Sequence, residues 1–190
     1  MIGEAPWTSA SAPRADANGR AARVRVRMPT ADDIPRLVAL INELAQDSGL
    51  LFINAVDPKT GASVLRDHLA SIALSGTEAV FVADQGDALV ALLTATRGAH
   101  EAKRGVVDIG IGVRQGERGR GIGGALLEAA EHWARSVGVH RLQLTVVTTN
   151  APAIALYRKL GYVNEGVMHA SAKLDGVYLD QYMMAKLLPG

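Results

Sequence analysis

The chain of 190 residues contains no cysteine, which removes disulfides, thiolate zinc sites and a cysteine nucleophile together. Its five histidines, His68, His100, His132, His140 and His169, show no close ligand spacing, so no metal is expected. A GxSxG motif is also missing, which speaks against a serine hydrolase. Charge of either sign is not in surplus, since 20 Lys and Arg against 19 Asp and Glu leave a formal +1. No global field gathers a polyanion, so nucleic acid is not an expected partner and any anionic ligand must be met by a local site. No apolar run is long enough to span a bilayer, and the first residues lack the apolar run of a signal peptide. A soluble, cytoplasmic protein without a membrane partner is the expectation.

What is present is hydrophobic content of 48%, enough at this length for one sizeable core and one domain. Residues 1–22 are small, polar and proline-bearing, without periodicity, and read as a disordered tail; residues 23–190 make the single domain. "RVRVRM" alternates as a half-buried strand, and its arginines Arg23, Arg25 and Arg27 read as a solvated face. Thr30 is placed to cap a helix with the stripe Ile34, Leu37, Val38, Ile41 and Leu44, ending near Gly49. A second helix covers Ser63 to Leu74. The apolar runs "EAVFVAD" and "ALVALLTATR" flank Gln85-Gly86-Asp87 as a hairpin. "GVVDIGIGV" is the next strand, followed by a glycine-rich stretch, a helix ending at Gly138, the strand "RLQLTVV", a short helix over "APAIALYRKLG" and two strands around Asp175-Gly176. The order is β-α-α-β-β-β-α-β-α-β-β.

The glycine-rich stretch, "GRGIGG" from Gly119 to Gly124, formally matches the dinucleotide-binding GxGxxG. That motif opens directly at a strand end and needs an acidic residue about 20 positions later. Here five residues separate Val113 from Gly119, and the next strand ends in Val147-Thr148-Thr149. A Walker A loop fails as well, because Ile122 stands where Lys is required. The physical content remains: Gly119, Gly121, Gly123 and Gly124 strip side chains from a helix start, so backbone N–H groups converge on an anion at the positive end of the helix dipole. Phosphate is the natural guest, and Arg118 and Arg120 stand beside it. Each hydrogen bond to a charged oxygen contributes roughly 1.5–3 kcal/mol, so a few donors suffice for micromolar binding. Close helix–strand packing is the plainer use of the same glycines. In the next helix, Ile122, Leu126, Ala129, Ala130, Trp133 and Val137 form the buried stripe, with His132 facing water.

Arg118-Gly119-Arg120-Gly121-Ile122-Gly123 resembles the Arg/Gln-x-x-Gly-x-Gly/Ala signature of the GCN5-related N-acetyltransferases (GNAT). "TVVTTNAPAIALYRKLGY", Thr145 to Tyr162, resembles that family's second signature, and the two cover the chain in the family's order of elements from Arg23 to Leu188. The resemblance implies an α+β GNAT fold: a mixed, mostly antiparallel sheet splayed between two central parallel strands, with helices on both faces. It implies that the turn Arg118 to Gly124 holds the pyrophosphate of acetyl-coenzyme A as co-substrate, and that pantetheine pairs with the main chain of Ile111 and Val113 beside Gly110 and Gly112. Asn150 is an N-cap that by analogy also touches the cofactor, and Lys159 is placed to reach a cofactor phosphate. Homodimers are common among the look-alikes, and the aliphatic last strand suits an interface or the core.

Tyr157 takes the role of general acid under the resemblance, giving a proton to the departing thiolate; on residue pattern alone it is equally a core tyrosine. For a base the strand before the turn offers Asp108. Strict alternation sets it opposite Ile109, Ile111 and Val113, a bulge at Gly110 or Gly112 would reverse that, and Glu101, Asp175 and Asp180 are further carboxylates. An alkyl ammonium has a pKa about 2.7 units above an α-amine, so freeing its lone pair costs roughly 3.7 kcal/mol more. A site without a strong base therefore favours an α-amine, and the expected acceptor is a small-molecule amine, an amino acid or its analogue. A protein N-terminus, a polyamine, and a non-catalytic acetyl-coenzyme A sensor are the alternatives.

Overall fold

A computed structural model describes residues 11–12, 24–47, 54–57 and 60–189. The tail expected over residues 1–22 lies outside them apart from Ser11 and Ala12, and so does Gly49. The elements are β1 (Ser11–Ala12), β2 (Val24–Arg27), α1 (Ile34–Gln46), α2 (Gly61–Ser75), β3 (Glu78–Asp84), β4 (Leu89–Arg97), β5 (Val106–Val113), α3 (Ile122–Ser136), β6 (Arg141–Val147), α4 (Ala151–Lys159), β7 (Val163–Leu174) and β8 (Val177–Leu187). From β2 onward this is the expected order. The α+β class holds too: one sheet runs β1-β2-β3-β4-β5-β6-β8-β7, antiparallel everywhere except between β5 and β6.

Two cores lie on the two faces of this sheet because strand side chains alternate. Leu37, Leu40, Ile41 and Leu44 of α1 close over Val80, Val82, Leu89 and Leu92. On the opposite face the expected α3 stripe, from Ile122 through Trp133, packs on Phe81, Leu93, Val107 and Ile109, and Ile154 and Tyr157 of α4 join the same cluster. His132 is exposed as expected.

The arginine face of β2 departs from its reading. Arg25 is exposed, but Arg27 forks onto Asp33, Nη1 to Oδ2 at 2.6 Å and Nη2 to Oδ1 at 2.8 Å, and also reaches Asp84 at 2.6 Å. Arg36 pairs with both carboxylates as well. Asp33 is 1% exposed and further accepts from Thr30 N at 2.7 Å and Thr30 Oγ1 at 3.1 Å. The guanidinium of Arg27 holds its carboxyl well below the ordinary 3.8, against the opposing effect of burial. A charge this deep is tolerated because every oxygen is answered.

Candidate functional site

β5 has two unlike edges. Toward β4 it pairs without a register shift from Ala91↔Val113 to Arg97↔Val107, so the bulge considered at Gly110 or Gly112 does not occur. Toward β6 the parallel ladder holds only Val106↔Arg141, Val107↔Leu142 and Asp108↔Gln143. Beyond Asp108 the strands part. The Arg114 N–H bonds to the Val90 carbonyl at 2.9 Å, so even-numbered residues of β5 turn their main chain to β4 and odd-numbered ones turn theirs to β6. Ile111 and Val113 thus present main-chain groups to the gap.

The glycine turn stands at the mouth of this gap. Gly121 precedes α3 with φ 83°, and Gly119 has φ 75°, left-handed conformations that a Cβ disfavours. A side chain at either position would meet nothing within 4 Å, so conformation alone demands glycine there. The first amide of the helix to find a carbonyl is Ala125 N, on Gly121 O at 3.1 Å. Those of Gly119, Arg120, Gly121, Ile122, Gly123 and Gly124 have no partner among the described residues. Gly123 is different: a Cβ there would lie 3.0 Å from Leu156 Cδ2 and near Ile111 and Val113. It lets α4 settle against the first turn of α3 and the end of β5, so both uses of the glycines are present, divided by position. Gly124 makes only ordinary contact with Leu156, at 3.9 Å, and Ile122 is a core residue, 2% exposed.

The arginines of the turn are engaged with protein groups. Arg118 donates Nε to the Val113 carbonyl at 3.0 Å and pairs with Asp47 after the end of α1. Arg120 reaches Glu117 at 2.6 Å, and Arg114 reaches Glu43 of α1 at 2.7 Å. Sequence reading missed the Asp47 and Glu43 pairs, which bind the turn to the last part of α1. Asn150 caps α4, its Oδ1 accepting from Ala153 N at 3.3 Å. Lys159 lines a groove of about 430 Å³ with Glu128, Glu131, His132, Arg135, Leu160 and Lys186. That groove runs beside the middle and end of α3, away from the glycine turn.

Tyr157 and Asp108 lie on opposite faces of the sheet. Tyr157, 6% exposed, sits in the α3/α4 core with its ring 5.9 Å from that of Tyr162, and burial pushes its phenol up to about 12. A phenol so placed keeps its proton at neutral pH. Asp108 keeps the strict alternation: Val107 and Ile109 join the α3 core, so Asp108, Gly110 and Gly112 face the α1/α2 side. Its Oδ1 accepts from Gln143 Nε2 at 2.7 Å at the last paired position before the strands separate. The helices α1 and α2 cover β3 and β4, and Asp108, Gly110 and Thr145 are exposed beyond them. Of the other carboxylates, Asp180 takes His169 Nδ1 at 3.0 Å and Ala170 N at 2.8 Å, Asp175 lies in the turn between β7 and β8, and Glu101 lies in the one between β4 and β5.

Further along β6, Thr145 Oγ1 accepts at 3.3 Å from Nε2 of Gln181 on β8, which is 7% exposed and accepts from Ser171 Oγ at 3.0 Å. These polar groups were not singled out from sequence. The signal available was the alternation Arg141, Gln143, Thr145 inside "RLQLTVV", which puts three polar side chains on one face of a central strand.

Known proteins bear on this geometry. A family model, the acetyltransferase (GNAT) family, matches residues 41–162. The L-amino acid N-acetyltransferase AaaT of Escherichia coli is 40% identical over 86 residues, 43% of this chain and 51% of that one. An L-methionine sulfoximine/L-methionine sulfone acetyltransferase of Pseudomonas aeruginosa is 36% identical over 84 residues, 44% and 49% of the two chains. The chain thus spans about half the length of the curated relatives it matches. The crystal structure of a GNAT-family acetyltransferase from Streptococcus pneumoniae superposes with a TM-score of 0.81 at 27% identity, covering 87% of this chain and 99% of that one. Since the family model runs from α1 through Tyr162, across both the turn that bares its amides and the strands that part beside it, the chain belongs to the GNAT acetyltransferase family.

Proposed function

We propose that this protein transfers the acetyl group of acetyl-coenzyme A to the α-amine of an amino acid or amino-acid analogue. The observation that carries this reading is the opening of the β5–β6 pair beyond Asp108 beside the free amides at the start of α3. The residues fit such a co-substrate: amides at a helix N-terminus suit a diphosphate, and the main chain of Ile111 and Val113 offers partners to an amide-bearing arm. When bound, the co-substrate supplies an acyl group activated as a thioester.

The chain's own residues supply orientation and proton transfer. The turn from Arg118 to Gly124 holds the carrier, Asn150 holds the start of α4, and α4 presents Tyr157 to the gap. Asp108 takes a proton from the incoming ammonium, leaving a lone pair to form the new C–N bond. As the C–S bond breaks, the Tyr157 phenol gives its proton to the departing thiolate. The nitrogen loses its second proton on forming the amide, and Tyr157 is reprotonated, so one proton is released to solvent per turnover.

The choice of acceptor rests on the cost of freeing the lone pair, which is smaller for an α-amine than for an alkyl ammonium. The relatives named for amino acids and methionine derivatives support the same choice. We further read the chain as cytoplasmic, as a homodimer, and as having neither nucleic acid nor membrane as partner. Support for the dimer is the edge strand β7, where Val163, Val167 and Met168 are 61%, 44% and 39% exposed, an arrangement that invites a second strand. Among the described residues no helix is long and apolar enough to cross a membrane.

The test is thiol release from acetyl-coenzyme A with a panel of amines. Turnover with L-amino acids or their analogues is expected. Turnover confined to polyamines would overturn the acceptor, and none with any amine, despite coenzyme A binding, would leave a sensor.

A further inference from the structure

The base assigned to Asp108 stands at one end of a run of side-chain hydrogen bonds that joins residues of β5, β6 and β7. Arg141 and Gln143 lie two residues apart on β6, so they share a face. Arg141 Nε donates to Gln143 Oε1 at 2.9 Å. That fixes the amide: with its oxygen turned to a guanidinium, Gln143 must point its NH2 group the other way, and Nε2 donates to Asp108 Oδ1 at 2.7 Å. Arg141 is set in turn by Glu165 on β7, its Nη1 meeting Oε1 at 2.8 Å and its Nη2 meeting Oε2. A forked pair of this kind fixes the plane of the guanidinium as well as its position.

We propose that Gln143 is a positioning residue for Asp108, and that the Arg141–Glu165 pair determines which end of the Gln143 amide faces it; this rests on the reading of Asp108 as the base. The need for such a device comes from the fold. Asp108 is the last residue of β5 to face a β6 partner, so past it the β6 side of the strand confines no side chain. Opposite on β4 it faces Thr96, which is uncharged. The charged side chains on this route are Arg141 on β6 and, beyond it, Glu165 on β7. One oxygen of Asp108 is held by Gln143, which leaves the other directed by that bond and available to an acceptor amine.

A cycle of variants in the full-length chain tests this, with thiol release measured under saturating acetyl-coenzyme A and an L-amino acid, and coenzyme A affinity measured by calorimetry. D108N is expected to lower kcat by more than a hundredfold. Gln143→Leu removes the donor and is expected to lower kcat about tenfold while coenzyme A affinity changes less than twofold. Gln143→Glu keeps an acceptor for Arg141 but turns a carboxylate toward Asp108, and is expected to cost at least as much. The deciding outcome is the double variant: if Gln143 acts only through Asp108, Q143L costs nothing further in the D108N background. Near-normal turnover by D108N would overturn the base itself. A crippled D108N, with Q143L and Q143E either harmless or fully additive to it, would overturn the positioning role alone. Thermal melts identify any variant that fails to fold, and Q143E, matched in size to the native side chain, then carries the cycle in place of Q143L.

Discussion

The sheet on the β4 side of β5 and the sheet on its β6 side do different work. From β2 to β5 the strands pair closely, bury an apolar core on each face, and lock Asp33 and Asp84 to Arg27 and Arg36. From β5 to β6 only three pairs form, and past them lie main chain without a strand partner, free helix amides and a hydrogen-bonded polar face. Stability is concentrated in the first region and unspent hydrogen-bonding capacity in the second. The contrast teaches where each kind of substitution should register: damage on the regular side should be read by unfolding, and damage on the open side by turnover or binding.

The sharpest way to break that division is Tyr157→Phe. Removal of the proposed proton donor is expected to lower kcat by about 10²–10⁴-fold, with coenzyme A affinity nearly unchanged, since the proposal gives the hydroxyl no part in holding the diphosphate. Steady-state kinetics beside calorimetry would show the split, and a loss confined to affinity would contradict it. Next in size is Asp33→Asn, which leaves two guanidinium groups short of a charge. Breaking such a buried pair costs about 3–5 kcal/mol, read by urea unfolding at pH 7, while kcat of the remaining folded enzyme should hold.

The same site gives the comparison a pH axis. Because Arg27 holds the Asp33 carboxyl below 3.8 in the fold, the folded state binds fewer protons there than the unfolded chain. The contribution is complete above the unfolded value and is lost as pH falls through and below it. Unfolding measured between pH 6 and pH 3 should therefore show stability falling with acid, and less steeply in Asp33→Asn.

Smaller effects are expected at the turn and at the edge. Gly121→Ala must place a methyl group at φ 83°, which costs roughly 1–2 kcal/mol; coenzyme A affinity is expected to fall about tenfold by calorimetry. Val167→Lys, on the exposed edge, should leave stability within about 0.5 kcal/mol and kcat unchanged, while sedimentation reports a shift toward monomer.

Much of the molecule was legible in the sequence, and for local reasons. Element bounds track hydrophobic period and glycine stops, so "RLQLTVV" is β6 residue for residue, and α2 differs from its expected span by two residues at its start and one at its end. The bared amides were legible because glycine spacing at a helix start has one main physical consequence. Divided roles within the turn were not, because Gly121 and Gly123 are the same letter and only Leu156, far along the chain, separates them. Arg27 misled for a similar reason: alternation assigns a face but does not say that Asp33 and Asp84 will come to meet it. The Gln143–Asp108 bond depends on the register of two parallel strands whose partners are 35 residues apart, a quantity no short window contains.

The bond between Arg118 and Asp47 has a consequence for how this chain tolerates change. Because the loop that would grip the diphosphate is anchored to the tail of a helix lying on the other side of the sheet, a substitution at Asp47 or Glu43 would release that loop without changing any of its own residues. If the loop holds the carrier as proposed, exchange of either acid would be felt in carrier affinity through Arg114 and Arg118.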